Sequence, residues 1–166
     1  MTQVPVGSFY VIARDLEDGN GIVSTAVGAA VNAGTNTYPV PALLRSDIET
    51  VYQAAGQAVD ATRAQILVTV TDCQGMSMLS NVTFNVPSNA DAVIVEDGAG
   101  SWTAANQAPT GPNGMAWVVN VPADPPLGVQ IPLEYAYDGV TNRDLSYRVI
   151  AGTVTRVHIF DGCTRP

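Results

Sequence analysis

One histidine, His158, and two cysteines, Cys73 and Cys163, are the side chains best suited to proton transfer or nucleophilic attack near neutral pH. His158 alternates with Val157 and Ile159 and shares a face with Arg156. That spacing puts it on the solvated side of a strand. A Ser-His-Asp triad would need a G-x-S-x-G elbow, and the sequence has none. A Cys73–His158 pair is formally open, but a cross-strand polar residue explains His158 without it. Two cysteines are too few for a four-ligand zinc site or a disulfide framework. They leave either one Cys73–Cys163 bridge or two unpaired thiols. No catalytic residue is assigned.

The carboxylates form one sequence cluster. Asp15, Glu17, Asp18 and Asn20 lie within six residues, and hard cations such as calcium favour oxygens gathered on a turn. The cluster lacks EF-hand spacing, and a hairpin turn accounts for Asp18-Gly19-Asn20-Gly21 by itself. No cofactor is therefore expected, with calcium at this loop the weak exception. No P-loop, dinucleotide fingerprint or zinc spacing occurs.

Two regions are candidate binding surfaces. The loop from Gly98 to Asn113 holds Trp102 among small polar residues, including Asn106 and Gln107. An aromatic in that setting can anchor a partner or plug the end of a core. The polar side of the strand around Val82–Val86 presents Asn81, Thr83 and Asn85, a face that binds a sugar or a neighbour or is simply wet. Asn81-Val82-Thr83 is also a glycosylation sequon.

The elements that must position these residues follow from periodicity. Ser8–Arg14 and Ile22–Val27 flank the Asp-Gly-Asn-Gly turn and read as a hairpin. Residues 28–41 read as a loop. Ser46-Asp47-Ile48-Glu49 is a capping box, and Ile48, Val51, Tyr52, Ala55 and Val59 follow at helical spacing, which predicts a helix over 46–58 packed on a sheet. From residue 64 the period becomes two. Inward rows are expected at Ile66/Val68/Val70, at Val82/Phe84/Val86, at Met115/Trp117/Val119/Val121, at Val129/Ile131/Leu133/Tyr135/Tyr137 and at Leu145/Tyr147/Val149. Short strands at 92–96 and 153–160 complete the set. Seven strands in about 100 residues without an intervening helix exclude parallel β-α-β winding there and imply a mainly β, antiparallel sandwich. Residues 1–63 form a hairpin-plus-helix extension and residues 64–166 the sandwich.

Within the sandwich, Thr71-Asp72-Cys73-Gln74-Gly75 followed by Leu79-Ser80-Asn81-Val82-Thr83-Phe84 resembles the opening of carboxypeptidase-regulatory-like domains. In that family a strand, an Asp-x-x-Gly turn and a "gly-val" strand occur in order. Pro109 to Trp117 and Asn120-Val121-Pro122 are similar to its later turn and strand end. Gly111 departs from the pattern, standing where an Asp is usual, and Ala123–Gly128 is longer than the usual turn. The resemblance covers residues 65–160. It implies a transthyretin-like, immunoglobulin-like sandwich serving as a spacer, adhesion or assembly unit of a secreted or surface protein.

Composition agrees with a folded domain: 46% hydrophobic and 13% charged residues in 166. The net charge is −8 and all seven basic residues are arginines, which disfavours a nucleic-acid partner. No apolar run reaches the ~20 residues of a membrane helix. The N-terminus lacks the features of a signal peptide. The expected function is a non-catalytic structural or interaction module of a cell-surface or particle assembly, extracellular or virion-borne, with homo- or hetero-oligomeric protein partners. A virion or appendage subunit is the first alternative. A carbohydrate- or ligand-binding module using Trp102, Tyr135 and Tyr137 is the second, and a hydrolase relying on the Asp-rich loop comes last.

Overall fold

Residues 64–70 read Ala-Gln-Ile-Leu-Val-Thr-Val, apolar on one strand face and mixed on the other, and the computed structural model shows both faces covered. The structure describes residues 7–13, 21–31, 40, 42–85, 89–104, 107–123 and 128–161. They form β1 (Gly7–Ala13), β2 (Ile22–Val23), β3 (Thr25–Val31), β4 (Leu43–Leu44), α1 (Arg45–Ala54), β5 (Ala64–Asp72), β6 (Thr83–Asn85), β7 (Ala92–Glu96), β8 (Trp102–Ala104), β9 (Met115–Val121), β10 (Val129–Tyr137), β11 (Val140–Val149) and β12 (Val154–Asp161). The protein is mainly β with one helix. No helix among the described residues is long and apolar enough to cross a membrane.

A seven-stranded sheet, in the order β1-β3-β12-β5-β9-β7-β8, faces a three-stranded sheet, β11-β10-β6. Between them lie Ile66, Val68 and Val70 of β5, Val118 of β9, Val157 and Ile159 of β12, Phe84 of β6, and Ile131, Leu133 and Tyr135 of β10. The rows expected on β5 and β10 point into this layer, as do Val82 and Phe84 of the row expected on β6, whose Val86 lies outside the described residues. The row expected on β9 is split: Val121 lies in this layer, and Trp117 and Val119 do not. Trp117 and Val119 belong to a second cluster on the opposite face, with Leu67, Ile94, Val154 and the helix residues Ile48 and Tyr52. Strict alternation misleads here because the sheet is buried on both sides, as parallel sheets usually are. A register shift opposite Ala64/Ile66 also changes the phase.

β12 runs parallel to both of its neighbours, pairing Val154–Arg156 with Thr25–Val27 and Val154–Asp161 with Gln65–Asp72. β3 and β5 therefore run the same way, joined through α1 on the outer face. This is a β-α-β crossover with β12 inserted between its strands, so parallel winding excluded within residues 64–166 arises across residue 64. The N-terminal hairpin is present, with Ala13 opposite Thr25 and Gly7 opposite Val31. β3 extends into the stretch expected to be loop and belongs to the sandwich's own sheet.

The helix starts one residue before the expected capping box. Its N-cap is Leu44, with no side-chain cap, because β4 pairs with β2 and Arg45 donates its amide to Gly21. Ser46 instead lies inside the first turn, where its carbonyl accepts the Thr50 hydroxyl. The helix ends at Ala54, short of the expected residue 58. Gly56 at φ +70°, with Gly56 N–H on Gln53 O and Gln57 N–H on Tyr52 O, forms the doubly bonded left-handed stop that glycine favours.

The glycine at position 111 has a packing cause. A Cβ there would lie 2.4 Å from the Asp97 carbonyl carbon and from the Gly98 nitrogen. The 109–114 turn presses directly on the β7–β8 turn, and an Asp would not fit.

Candidate interaction surfaces

The polar face expected on β6 exists on the outside of the three-stranded sheet. Thr83 pairs with Ala136 and Asn85 with Glu134. The Asn85 side-chain amide donates to Glu134 Oε2 at 3.2 Å, and Gln107 Nε2 donates to Asn85 Oδ1 at 3.3 Å. Asn85 and Gln107 are exposed. Asn81 stands apart at φ +61°, its backbone amide bonded to Thr110 O. The structure thus brings three amide and carboxylate groups together and leaves Asn81 outside the set. Asn106 lies outside the described residues.

Trp102 is half-buried on β8 and packs against the second cluster beside Ala104. The tyrosines of the ligand-binding alternative also face inward. Tyr135 is 6% exposed and its hydroxyl donates to Asp161 Oδ1 at 2.8 Å, and Tyr137 packs against the inter-sheet core.

His158 is on the outer face of β12, as its spacing predicts. Its Nε2 lies 2.9 Å from Thr71 Oγ1, and its ring stacks on Phe160 at 4.4 Å and 9°. Burial, aided by the Arg156 guanidinium, holds its pKa below the ordinary 6.5. Phe160 in turn lies against Gly75 and is 50% exposed, near the exposed Met76 on the same turn.

Three of the described carboxylates serve turns. Asp60 accepts from the hydroxyl and amide of Thr62, Asp72 from the Met76 amide, and Asp97 from the amides of Ala99 and Ser101. The Thr62 hydroxyl lowers the pKa of Asp60, and the Met76 amide lowers that of Asp72. Asp15, Glu17, Asp18 and Asn20 lie outside the described residues. Among the described residues no three His, Cys, Asp or Glu side chains gather to hold a metal. Cys73 is disulfide-bonded. Cys163, the other cysteine of the chain, lies outside the described residues.

A buried polar network beneath α1 escaped the sequence reading. The Tyr52 hydroxyl donates to Gln65 Oε1 at 2.7 Å, which also accepts the Asn120 amide at 2.8 Å. Gln65 Nε2 donates to Asp60 O and to Asn120 Oδ1. Asn120 Oδ1 also accepts the Asp60 amide, and its Nδ2 donates to Ala58 O and Asp91 Oδ2. Arg63 closes the edge through Asp91 and Asn120 O. Every hydrogen-bonding position of both buried amides is filled, and burial pushes the Tyr52 phenol well up. The legible signal is Asn120 itself, a polar residue inside the apolar run Trp117–Val121. The network ties the helix and the 55–63 segment to the sheet, so its task is positional.

The two larger sheets have four edges, and they differ in kind. β8 and β6 are three residues long. β11 is ten residues but carries Arg143, Asp144 and Arg148. Short or charged edges resist pairing with another chain. β1, Gly-Ser-Phe-Tyr-Val-Ile-Ala, is seven residues with no charge and no proline, and among the described residues it pairs on one side alone, with β3.

Comparisons of the chain with protein-family models, with curated proteins and with solved structures find no match.

Proposed function

We propose that the protein is a non-catalytic β-sandwich interaction module of a surface or particle assembly, such as a virion or appendage, and that it engages protein partners by accepting a strand on the edge of its large sheet. The carrying observation is the contrast among the four edges: three are short or charged, and β1 is long and uncharged. A strand that pairs on one side alone among the described residues can recognise a partner through its main chain, with neighbouring side chains supplying selectivity.

Other features support the non-catalytic part of the reading. The lone histidine is engaged by Thr71 and Phe160, and Asp60, Asp72 and Asp97 hold turns. The disulfide at Cys73 fits an oxidising, extracellular setting. The resemblance to carboxypeptidase-regulatory-like domains points the same way, towards spacers and assembly units.

The test is capture of a strand. A peptide carrying residues 7–13 between solubilising arginines is titrated into the full chain while amide hydrogen exchange is followed. Slowed exchange at β1 amides, with other edges unchanged, is the expected result. Unchanged β1 exchange at saturating peptide would remove the basis for the reading.

A further inference from the structure

We infer that the strand received by β1 is β1 of a second copy, paired antiparallel about a two-fold axis. This rests on the strand-accepting reading above and names its partner. Length favours self-pairing: joining β1 to the opposite edge, β8, would match seven residues with three, whereas β1 against β1 matches in full. An antiparallel pair of identical strands is also self-complementary and closes after two copies.

Charge selects the same place. The chain carries −8 overall, yet its first fourteen residues hold no Asp or Glu and a single basic residue, Arg14. Two acidic copies approaching through this stretch bring no acidic residues of the strand face to face, as charged edges would. The symmetric register is fixed by arithmetic. Centred on the middle residue, it sets Tyr10 opposite Tyr10, Phe9 opposite Val11, Ser8 opposite Ile12 and Gly7 opposite Ala13. Each seven-stranded sheet then continues into its copy, and the edge disappears.

The register supplies the experiment. Sedimentation equilibrium of the full chain over a wide concentration range is expected to show a monomer–dimer equilibrium above the 17.3 kDa monomer. Tyr10→Lys places two like charges at the axis and should raise the dimer dissociation constant about tenfold. Tyr10→Glu should do the same, and an equimolar mixture of the two variants should pair again, because the axis then joins Lys to Glu. If either variant fails to fold, hydrogen exchange on the unaltered chain decides: protection of β1 amides must rise with concentration. A chain that stays monomeric at every concentration overturns the inference. So does a dimer whose β1 exchange ignores concentration. A monomer that still protects β1 on adding the peptide leaves the strand-accepting reading standing, and a chain that does neither removes both.

Discussion

Asn120 sits at φ +53°, in the left-handed region that asparagine tolerates better than most residues, at the register shift between β5 and β9. Its conformation and its four side-chain hydrogen bonds are two separate contributions, and two substitutions part them. Asn120→Ala removes the bonds, leaves Ala58 O and the Asp60 amide short of partners, and strains the backbone. It should cost about 2–4 kcal/mol in denaturant unfolding. Asn120→Gly relieves the backbone alone and should recover no more than about 1 kcal/mol of that loss. At His158 the prediction concerns pH. The folded chain holds the imidazole below its ordinary 6.5, so on acidification the unfolded chain takes the proton first. Stability should fall as pH drops from near 6.5 through the lower folded value, then level off until Asp60 and Asp72 protonate in turn. An NMR titration should place the folded midpoint below 6.5, and His158→Gln should flatten that part of the stability profile. His158's place was legible from alternation with Val157 and Ile159. The network was not, because hydrogen bonds between Gln65 and Asn120, far apart in sequence, leave no local pattern.

α1 is held by two means that can be told apart. Ile48 and Tyr52 bury apolar surface against Trp117 and Leu67, with the Tyr52 and Trp117 rings edge to face at 5.8 Å. The Tyr52 hydroxyl reaches through to Gln65. Tyr52→Phe keeps the ring and orphans one acceptor position on Gln65 Oε1, which still holds the Asn120 amide. It should cost about 1 kcal/mol, read in chemical unfolding, and should speed amide exchange in α1 before that in β5. The helix's existence and apolar stripe were legible from Ile48, Val51 and Tyr52 at helical spacing. Its ends were not. Leu44 displaced Ser46 as the cap because β4 delivers the chain already paired, a tertiary event. Gly56 was a readable stop that the continued spacing of Val59 obscured. For β9 the sequence carries apolar residues at both phases, and only the presence of α1 decides that Trp117 faces outward from the inter-sheet core.

At the level of the whole molecule, sandwich character could be read from turns and alternation, but neither β8, a strand inside the 98–113 stretch expected to be loop, nor the order β1-β3-β12-β5 could. The pairings of β12 with β5 and β3 join segments about 90 and about 130 residues apart, and nothing local encodes them. The parallel register of β12 on β5 ends with Asp161 beside Asp72, the residue before Cys73. With Cys73 disulfide-bonded and Cys163 the other cysteine in the sequence, the bridge closes a loop of about 90 residues, for which chain entropy gives about 4 kcal/mol. Reduction should add about 2 Da to the intact mass and lower stability by a few kcal/mol. Cys73→Ser should reproduce the stability loss without any mass response to reductant.

The seat of β12 has a temporal side. Both strands that flank it, β3 and β5, precede it by many residues, so a chain emerging vectorially from a ribosome holds an unfilled slot in the middle of its largest sheet until residues 154–161 clear the exit tunnel. Synthesis at about 5–20 residues per second leaves that slot open for several seconds. During that interval β3 and β5 each expose a side that the finished fold closes, and arrested chains halted before Val154 should remain protease-sensitive and prone to associate through it.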